Sequence, residues 1–256
     1  MNNHEVSSLL RVLSSAAHIT LENGGETYRA EDIVLYIAPA LGADDVDIFA
    51  TPTGIIITVN VNGESHTTVK SVKKRTINLN KINSVNDVSR GVAEGRIGLL
   101  EAEEMLAEIH NSKTGSTLWG ILAAGLASGF FTVLFGGSFF DFAIALLAGG
   151  LVAYISEFFE RADMFHFMIS LTGGAVVATV AALLSDFVNI DKVIVGGIMP
   201  LLPGLAMTNA IRDTMKGDLV SGTSRLMEAL LRAVGIATGV GIVLSVYSYF
   251  GRGMFV

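Results

Sequence analysis

The chain has no cysteine and only four prolines in 256 residues, and charged side chains make up just 16% of it. Without cysteine there is no disulfide framework, no thiolate nucleophile and no cysteine-based metal site. No Gly-x-x-x-x-Gly-Lys-Ser/Thr stretch occurs, so ATP hydrolysis by this chain is not expected. The opening residues, Met1-Asn2-Asn3-His4-Glu5, lack the basic and apolar regions of a signal peptide, which places the expected soluble part in the cytoplasm. Apolar residues, by contrast, are abundant. They make up 51% of the chain, and the mean hydropathy is +0.56, beyond the range of ordinary soluble proteins.

Charge divides the chain in two. Residues 1–115 carry 10 Lys/Arg and 15 Asp/Glu, net −5, and residues 116–256 carry 7 and 9, net −2. The expected organisation is a soluble acidic domain over 1–115 followed by a membrane domain over 116–256. An acidic soluble domain without a basic patch argues against nucleic acid as a partner.

A helix needs about 20 apolar residues to cross a bilayer. Five such stretches are read here, roughly at 116–135, 139–157, 164–185, 193–211 and 226–250. With the N-terminus inside, the cytoplasmic flanks hold Lys113, Arg161, Arg212, Lys216 and Arg225, and the outer flanks hold Lys192 and Arg252. That bias predicts an inner N-terminus and an outer C-terminus. Trp119 falls near the inner boundary, and Tyr247, Tyr249 and Phe250 near the outer one, as interfacial aromatics do.

Glycines punctuate the spans. Gly125/Gly129 and Gly235/Gly239 present small faces, and Gly149-Gly150, Gly173-Gly174 and Gly196-Gly197 place a pair in three successive spans. Tight helix packing is the expected reason, against a substrate path lined by bare backbone. Among ionisable residues, Asp141 reads as interfacial at the outer end of span two and His166 as interfacial at the inner end of span three. Asp186 and Asp191 read as outer-loop residues, and Glu228/Arg232 as an i, i+4 ion pair.

The soluble part opens with a helix over 5–21, whose face of Val6, Leu9, Leu10, Leu13, Ala17 and Leu21 ends at Gly24-Gly25. A second helix is expected over 28–41, stopped by Gly42. The period then changes to two, with Val46, Ile48 and Ala50 alternating. A turn at Pro52-Thr53-Gly54, a strand over 55–61 and the hairpin signal Asn62-Gly63 lead to a strand near 65–72. Helix returns over 84–110. His18 and His66 have no triad-like neighbours and read as structural or solvated. The run Lys70, Lys73, Lys74 and Arg75 reads as a solvated face that can touch anionic lipid heads.

The fourth span is broken. Pro200 and Pro203, followed by Gly204, sit inside the apolar run 193–211, with Arg212, Asp213, Lys216 and Asp218 directly after it. Each proline removes an N–H and clashes with a preceding carbonyl. In hydrocarbon the freed backbone groups need protein or a watered cavity, as in the discontinuous helices where secondary transporters bind solute. A Pro-kinked helix without a solute role is the alternative. On the transporter reading the candidate substrate-binding residues are Pro200, Pro203, Gly204, Thr208, Asn209, Asp213 and Lys216. Backbone N–H groups and a half-helix N-terminus would take a carboxylate. Thr208, Asn209 and Asp213 would take an ammonium group, or Asp213 a coupling proton, and Lys216 or Arg212 would take a carboxylate instead. The structural rival for Asp213 is a salt bridge to Arg212, Lys216 or Arg225.

Leu21-Glu22-Asn23-Gly24-Gly25-Glu26-Thr27-Tyr28-Arg29, Pro52-Thr53-Gly54-Ile55-Ile56, Leu79–Ile82, Gly95–Ile109, Pro200-Leu201-Leu202-Pro203-Gly204, Asn209-Ala210, Asp213 and Lys216-Gly217-Asp218 occur in an order and spacing that resembles the threonine/serine exporter family in its large-subunit form. The resemblance covers nearly the whole chain. It implies an exporter of small polar metabolites in the cytoplasmic (inner) membrane, moving threonine and serine or dicarboxylates such as succinate. Some members are single chains of about ten spans, and others are split between a large chain and a smaller membrane subunit. Five spans here imply the split form, with an inverted five-span partner completing one site.

The expected fold class is therefore an α-helical polytopic membrane protein. It comprises a five-span bundle with a discontinuous fourth span, preceded by a small α+β cytoplasmic domain. The expected partners are the smaller membrane subunit, the bilayer and a small-molecule substrate. No enzymatic activity, cofactor or metal is expected. The rival function is a membrane-anchored sensor or scaffold, against which five glycine-rich spans are more than an anchor needs.

Overall fold

The computed structural model describes residues 1–112, 115–162 and 164–253, and for 250–253 the backbone only. Lys113, Asp163 and Val256, and the side chains of Phe250 and Arg252, lie outside what is described, so the topology expectations resting on them have no structural counterpart. The chain forms two compact units. One comprises Met1–Thr114 with Leu205–Leu226, the other Gly115–Gly204 with Met227–Val256.

In the first unit, α1 (Asn3–Glu22) starts in a capping box: Glu5 N donates to Asn2 Oδ1 at 2.9 Å and Asn2 N to Glu5 Oε2 at 2.8 Å. Its inward face, Leu9, Val12, Leu13, Ala16 and Ala17, is almost entirely buried, as its periodicity predicts. Burying one such leucine contributes roughly 1.5–3 kcal/mol. α2 (Thr27–Ile37) gives way to a 3-10 turn over Pro39–Leu41 that ends at Gly42, φ 91°.

Three antiparallel strands follow, β1 (Asp45–Thr51), β2 (Gly54–Val61) and β3 (Glu64–Ser71), in the order β1-β2-β3. Asn62 and Gly63, φ 54° and 79°, make the primed turn that this dipeptide favours. Ile55, Ile57, Val59 and Val61 face the core, where α1 covers the sheet. On the other face Phe49, Ile56 and Val69 align across the strands and stay exposed.

The helix expected over 84–110 is two helices, α3 (Leu79–Ala93) and α4 (Leu99–Asn111). Asn78 caps α3 through Lys81 N, five residues before the expected start, and Gly95 at φ 71° takes the chain out of helix between them.

The second unit holds α5 (Thr117–Leu134), α6 (Phe139–Arg161), α7 (His166–Leu183), α8 (Ile190–Gly197) and most of α10 (Leu219–Gly253). Among the described residues four helices are long and apolar enough to cross a membrane: α5, α6, α7 and α10. A fifth crossing arises if the broken pair Ile190–Leu201 and Gly204–Met215 counts as one span. The glycines serve close packing. A Cβ on Gly125 would come within 2.8 Å of Leu146 O, one on Gly174 within 2.6 Å of Ile236 O, and one on Gly197 within 2.6 Å of Val177.

Asp141 has a structural task in this unit. It completes the capping box of α6 with Ser138 and accepts the Asn189 N–H at 2.7 Å, tying the start of α8 to α6. Glu228 and Arg232 pair at 2.8 Å along one helix face, as their spacing predicts.

Candidate functional site

The break in the fourth apolar stretch is local and complete. After α8 a 3-10 turn covers Met199–Leu201, and Leu202, preceding a proline, is extended at φ −65°, ψ 133°. Leu201 N and Leu202 N close the turn onto Ile198 O and Met199 O at 2.9 and 3.2 Å. Helix resumes as α9 (Gly204–Met215). Pro200 is exposed and Pro203 buried, and a Cβ on Gly204 would meet nothing within 4 Å.

Leu205–Leu226, which takes in the end of the fourth expected span and the polar stretch after it, packs in the first unit because its polar residues find their partners in the segment Gly24–Tyr28. Asp213 is fully buried. Its Oδ2 lies 2.9 Å from Arg225 Nε, its Oδ1 accepts the Thr27 N–H at 3.1 Å, and Oδ2 accepts from Thr27 Oγ1 at 3.2 Å. Arg225, also buried, donates to Gly25 O at 2.8 Å. One turn before Asp213, Asn209 Nδ2 donates to Gly24 O at 2.8 Å. A cation and anion removed from water are tolerable only with this degree of satisfaction.

Glycine is required at the acceptor segment. Gly24 is at φ 90°, and a Cβ on Gly25 would lie 2.6 Å from Thr20 Cγ2. At the rim Glu26 pairs with Arg212 at 2.6 Å and Arg29 at 3.0 Å, and Lys216 Nζ lies 5.2 Å from the Tyr28 ring centroid. Burial pushes the Glu26 carboxyl up. Its own backbone N–H and the two arginines more than offset this, leaving it below the usual carboxylate range.

Of the sequence-selected residues, Asn209, Asp213 and Lys216 thus meet on one short segment, Gly24–Tyr28. Thr208, on the same helix, is exposed. Pro200, Pro203 and Gly204 belong to the second unit. Asn209 Oδ1 and Ser221 Oγ, both buried on this stretch, make no hydrogen bond. Buried groups left open in this way call for a water, an ion or a ligand.

Of the three expected ion-pair partners of Asp213 the structure selects Arg225, whereas sequence reasoning missed Gly25, Glu26 and Thr27 as members of this cluster, although Gly24–Tyr28 and Asn209–Asp218 both carry the family resemblance. Lys70 was read as part of a solvated face. It is half-buried instead and donates to Ser15 Oγ at 3.3 Å.

Several membrane-length helices and a broken apolar stretch are the features of a multi-pass membrane protein. The model of the family described as "Putative threonine/serine exporter" matches residues 11–247, and the chain belongs to that exporter family. It is 22% identical over 253 residues to "Probable succinate transporter subunit YjjP" of Klebsiella aerogenes, covering 97% of each chain. It is 21% identical to the protein of the same name from Escherichia coli, covering 99% of each. It is also 23% identical to "Probable threonine/serine exporter" of Mycobacterium tuberculosis, over 89% of this chain but only 44% of that one. No solved structure matches the chain significantly.

Proposed function

We propose that this chain is the large subunit of a two-component secondary exporter in the cytoplasmic (inner) membrane. It moves a small zwitterionic or anionic metabolite, a threonine/serine-type amino acid or a dicarboxylate such as succinate, out of the cell. The observation that carries the subunit reading is one of length. The relatives that align end to end are named as transporter subunits, whereas the relative named as an exporter is more than twice as long as the stretch it shares. A smaller membrane subunit of the same family then supplies the remaining spans. The Lys/Arg bias favours residues 1–115 on the cytoplasmic side.

In this reading the backbone freed at Pro200, Pro203 and Gly204 contributes to the solute path, as discontinuous helices do in secondary transporters. Thr208, Asn209, Asp213 and Lys216 follow it on α9. A buried arginine held by one carboxylate, one backbone carbonyl and one hydroxyl suits the capture of a solute carboxylate by exchange, Arg225 passing from Asp213 to the solute while Asp213 keeps Thr27. Asn209 Oδ1 is an open acceptor for an ammonium or hydroxyl group.

Proteoliposomes holding this chain, with and without the smaller subunit, and loaded separately with threonine, serine and succinate, test the reading. Efflux of one solute class that needs both chains is expected. Equal efflux from this chain alone would remove the two-component assignment. No efflux of any of the three from the assembled pair would leave the sensor or scaffold reading in its place.

A further inference from the structure

Apart from the ion pairs around Asp213, the first unit brings together a second set of titratable side chains that the transport reading does not use. His18 and Glu22 are spaced i, i+4 on the last turns of α1, and His110 sits at the end of α4. Glu22 Oε2 lies 3.4 Å from His110 Nδ1 and 3.7 Å from His18 Nδ1, and the three donor atoms all fall within 4.8 Å of one another.

These separations are too long for hydrogen bonds, which run at about 2.7–3.2 Å. They are close to the edge of a tetrahedron around an ion with ligand distances of about 2.0–2.1 Å, which is about 3.3 Å. His18 Nδ1 is buried and has no hydrogen-bond partner. That unsatisfied nitrogen faces Glu22 Oε2, with His110 Nδ1 beside it, so an ion seated among the three would satisfy it.

We propose that His18, Glu22 and His110 form a binding site for a borderline divalent transition-metal ion, zinc being the reference case. Two imidazoles and one carboxylate exclude the hard cations magnesium and calcium, which take all-oxygen shells.

His18 and His110 also line a cavity of about 240 Å3, with Arg11, Lys70, Glu103 and Asn111 around it. That space admits a water as the fourth ligand. The ion would staple the end of α1 to the end of α4, immediately before the Asn23–Thr27 segment that receives Asp213 and Arg225.

The test uses the purified full chain in detergent, stripped with a chelator and titrated with Co2+ as an optical probe. One Co2+ per chain is expected, with the intense d–d absorption of a four-coordinate site, displaced by stoichiometric Zn2+, which also raises the Tm. His110→Ala, at a half-exposed side chain, and Glu22→Gln are each expected to weaken binding at least tenfold and to abolish the d–d bands, with the metal-free Tm unchanged. His66→Ala, on β3, is expected to leave both affinity and spectrum intact. The absence of stoichiometric binding, or binding unaltered by both His110→Ala and Glu22→Gln, would overturn the proposal.

Discussion

Asp213 Oδ2 lies 2.9 Å from Arg225 Nε, and the two side chains are 0% and 9% exposed. The pair joins the end of α9 to the start of α10, and both residues reach the same turn, Gly25–Thr27, through separate hydrogen bonds. A carboxylate placed there has a structural task before any transport task.

The first prediction follows from that burial. Asp213→Asn keeps the shape but leaves a buried guanidinium without its counter-charge, at a cost of about 3–5 kcal/mol. Thermal or detergent-induced unfolding of the purified variant should register this loss. The double variant Asp213→Asn/Arg225→Gln should lose less than the sum of the two singles. Wild-type stability together with abolished efflux would instead make Asp213 a residue of the transport chemistry alone.

The second prediction concerns the small faces. A Cβ on Gly239 would collide with Leu171 O and lie 2.8 Å from Ala175 N, whereas one on Gly241 meets nothing within 4 Å. Gly239→Ala should therefore destabilise the bundle by about 1–3 kcal/mol. Gly241→Ala, two residues away on the same helix, should be close to neutral. Equal behaviour of the two variants would mean that α7 and α10 do not meet at this face.

How much of this was legible in the sequence depended on the range of each interaction. The β2–β3 hairpin was legible because Asn62-Gly63 and the flanking alternation are local signals. The apolar spans and the break at Leu202–Pro203 were legible from hydropathy and proline chemistry. The division between α3 and α4 was missed because apolar residues recur at helical spacing on both sides of Gly95, and a lone glycine does not announce a positive φ. Asp213 stood out as a polar residue after an apolar run, but its partner Thr27 lies 186 residues away along the chain, and Gly25 lies 200 residues from the Arg225 it binds. A long separation in sequence likewise hid the meeting of His18 with His110. Periodicity says which face a side chain occupies, and it carries no information about which distant residue that face meets.

The third prediction is one of pH. Glu31 Oε1 accepts the Ala50 N–H at 3.0 Å. Burial raises its carboxyl above the ordinary value of 4.5, the Ala50 bond opposes this, and Asp218, Asp32 and Asp213 add to the rise. A folded-state value above the unfolded one gives stability that is fully present below the unfolded pKa and lost as pH rises through the folded one. Glu31→Gln keeps the acceptor and does not titrate. It should therefore raise the Tm at pH 7, and the gain should vanish as pH falls below about 4. A lower Tm at pH 7 would show that the charge itself is being used.

The last prediction decides whether the broken pair Ile190–Leu201 and Gly204–Met215 crosses the membrane or turns back within it. Thr27 binds Asp213, so Met215, two residues further on, shares a side of the membrane with the first 112 residues. Three crossings by α5, α6 and α7 place Asp186 on the opposite side. With residues 1–115 inside, as proposed, the segment between Asp186 and Met215 is then expected to cross, giving five spans and residues after α10 outside. The chain has no cysteine, so single substitutions report position without background. Ala162→Cys and Met215→Cys, both at exposed positions, should be shielded from a membrane-impermeant maleimide in intact cells and react after permeabilisation. Asp186→Cys should react in intact cells. Labelling of Met215→Cys together with Asp186→Cys from outside would make the pair a re-entrant loop, reduce the spans to four and place the C-terminal end inside.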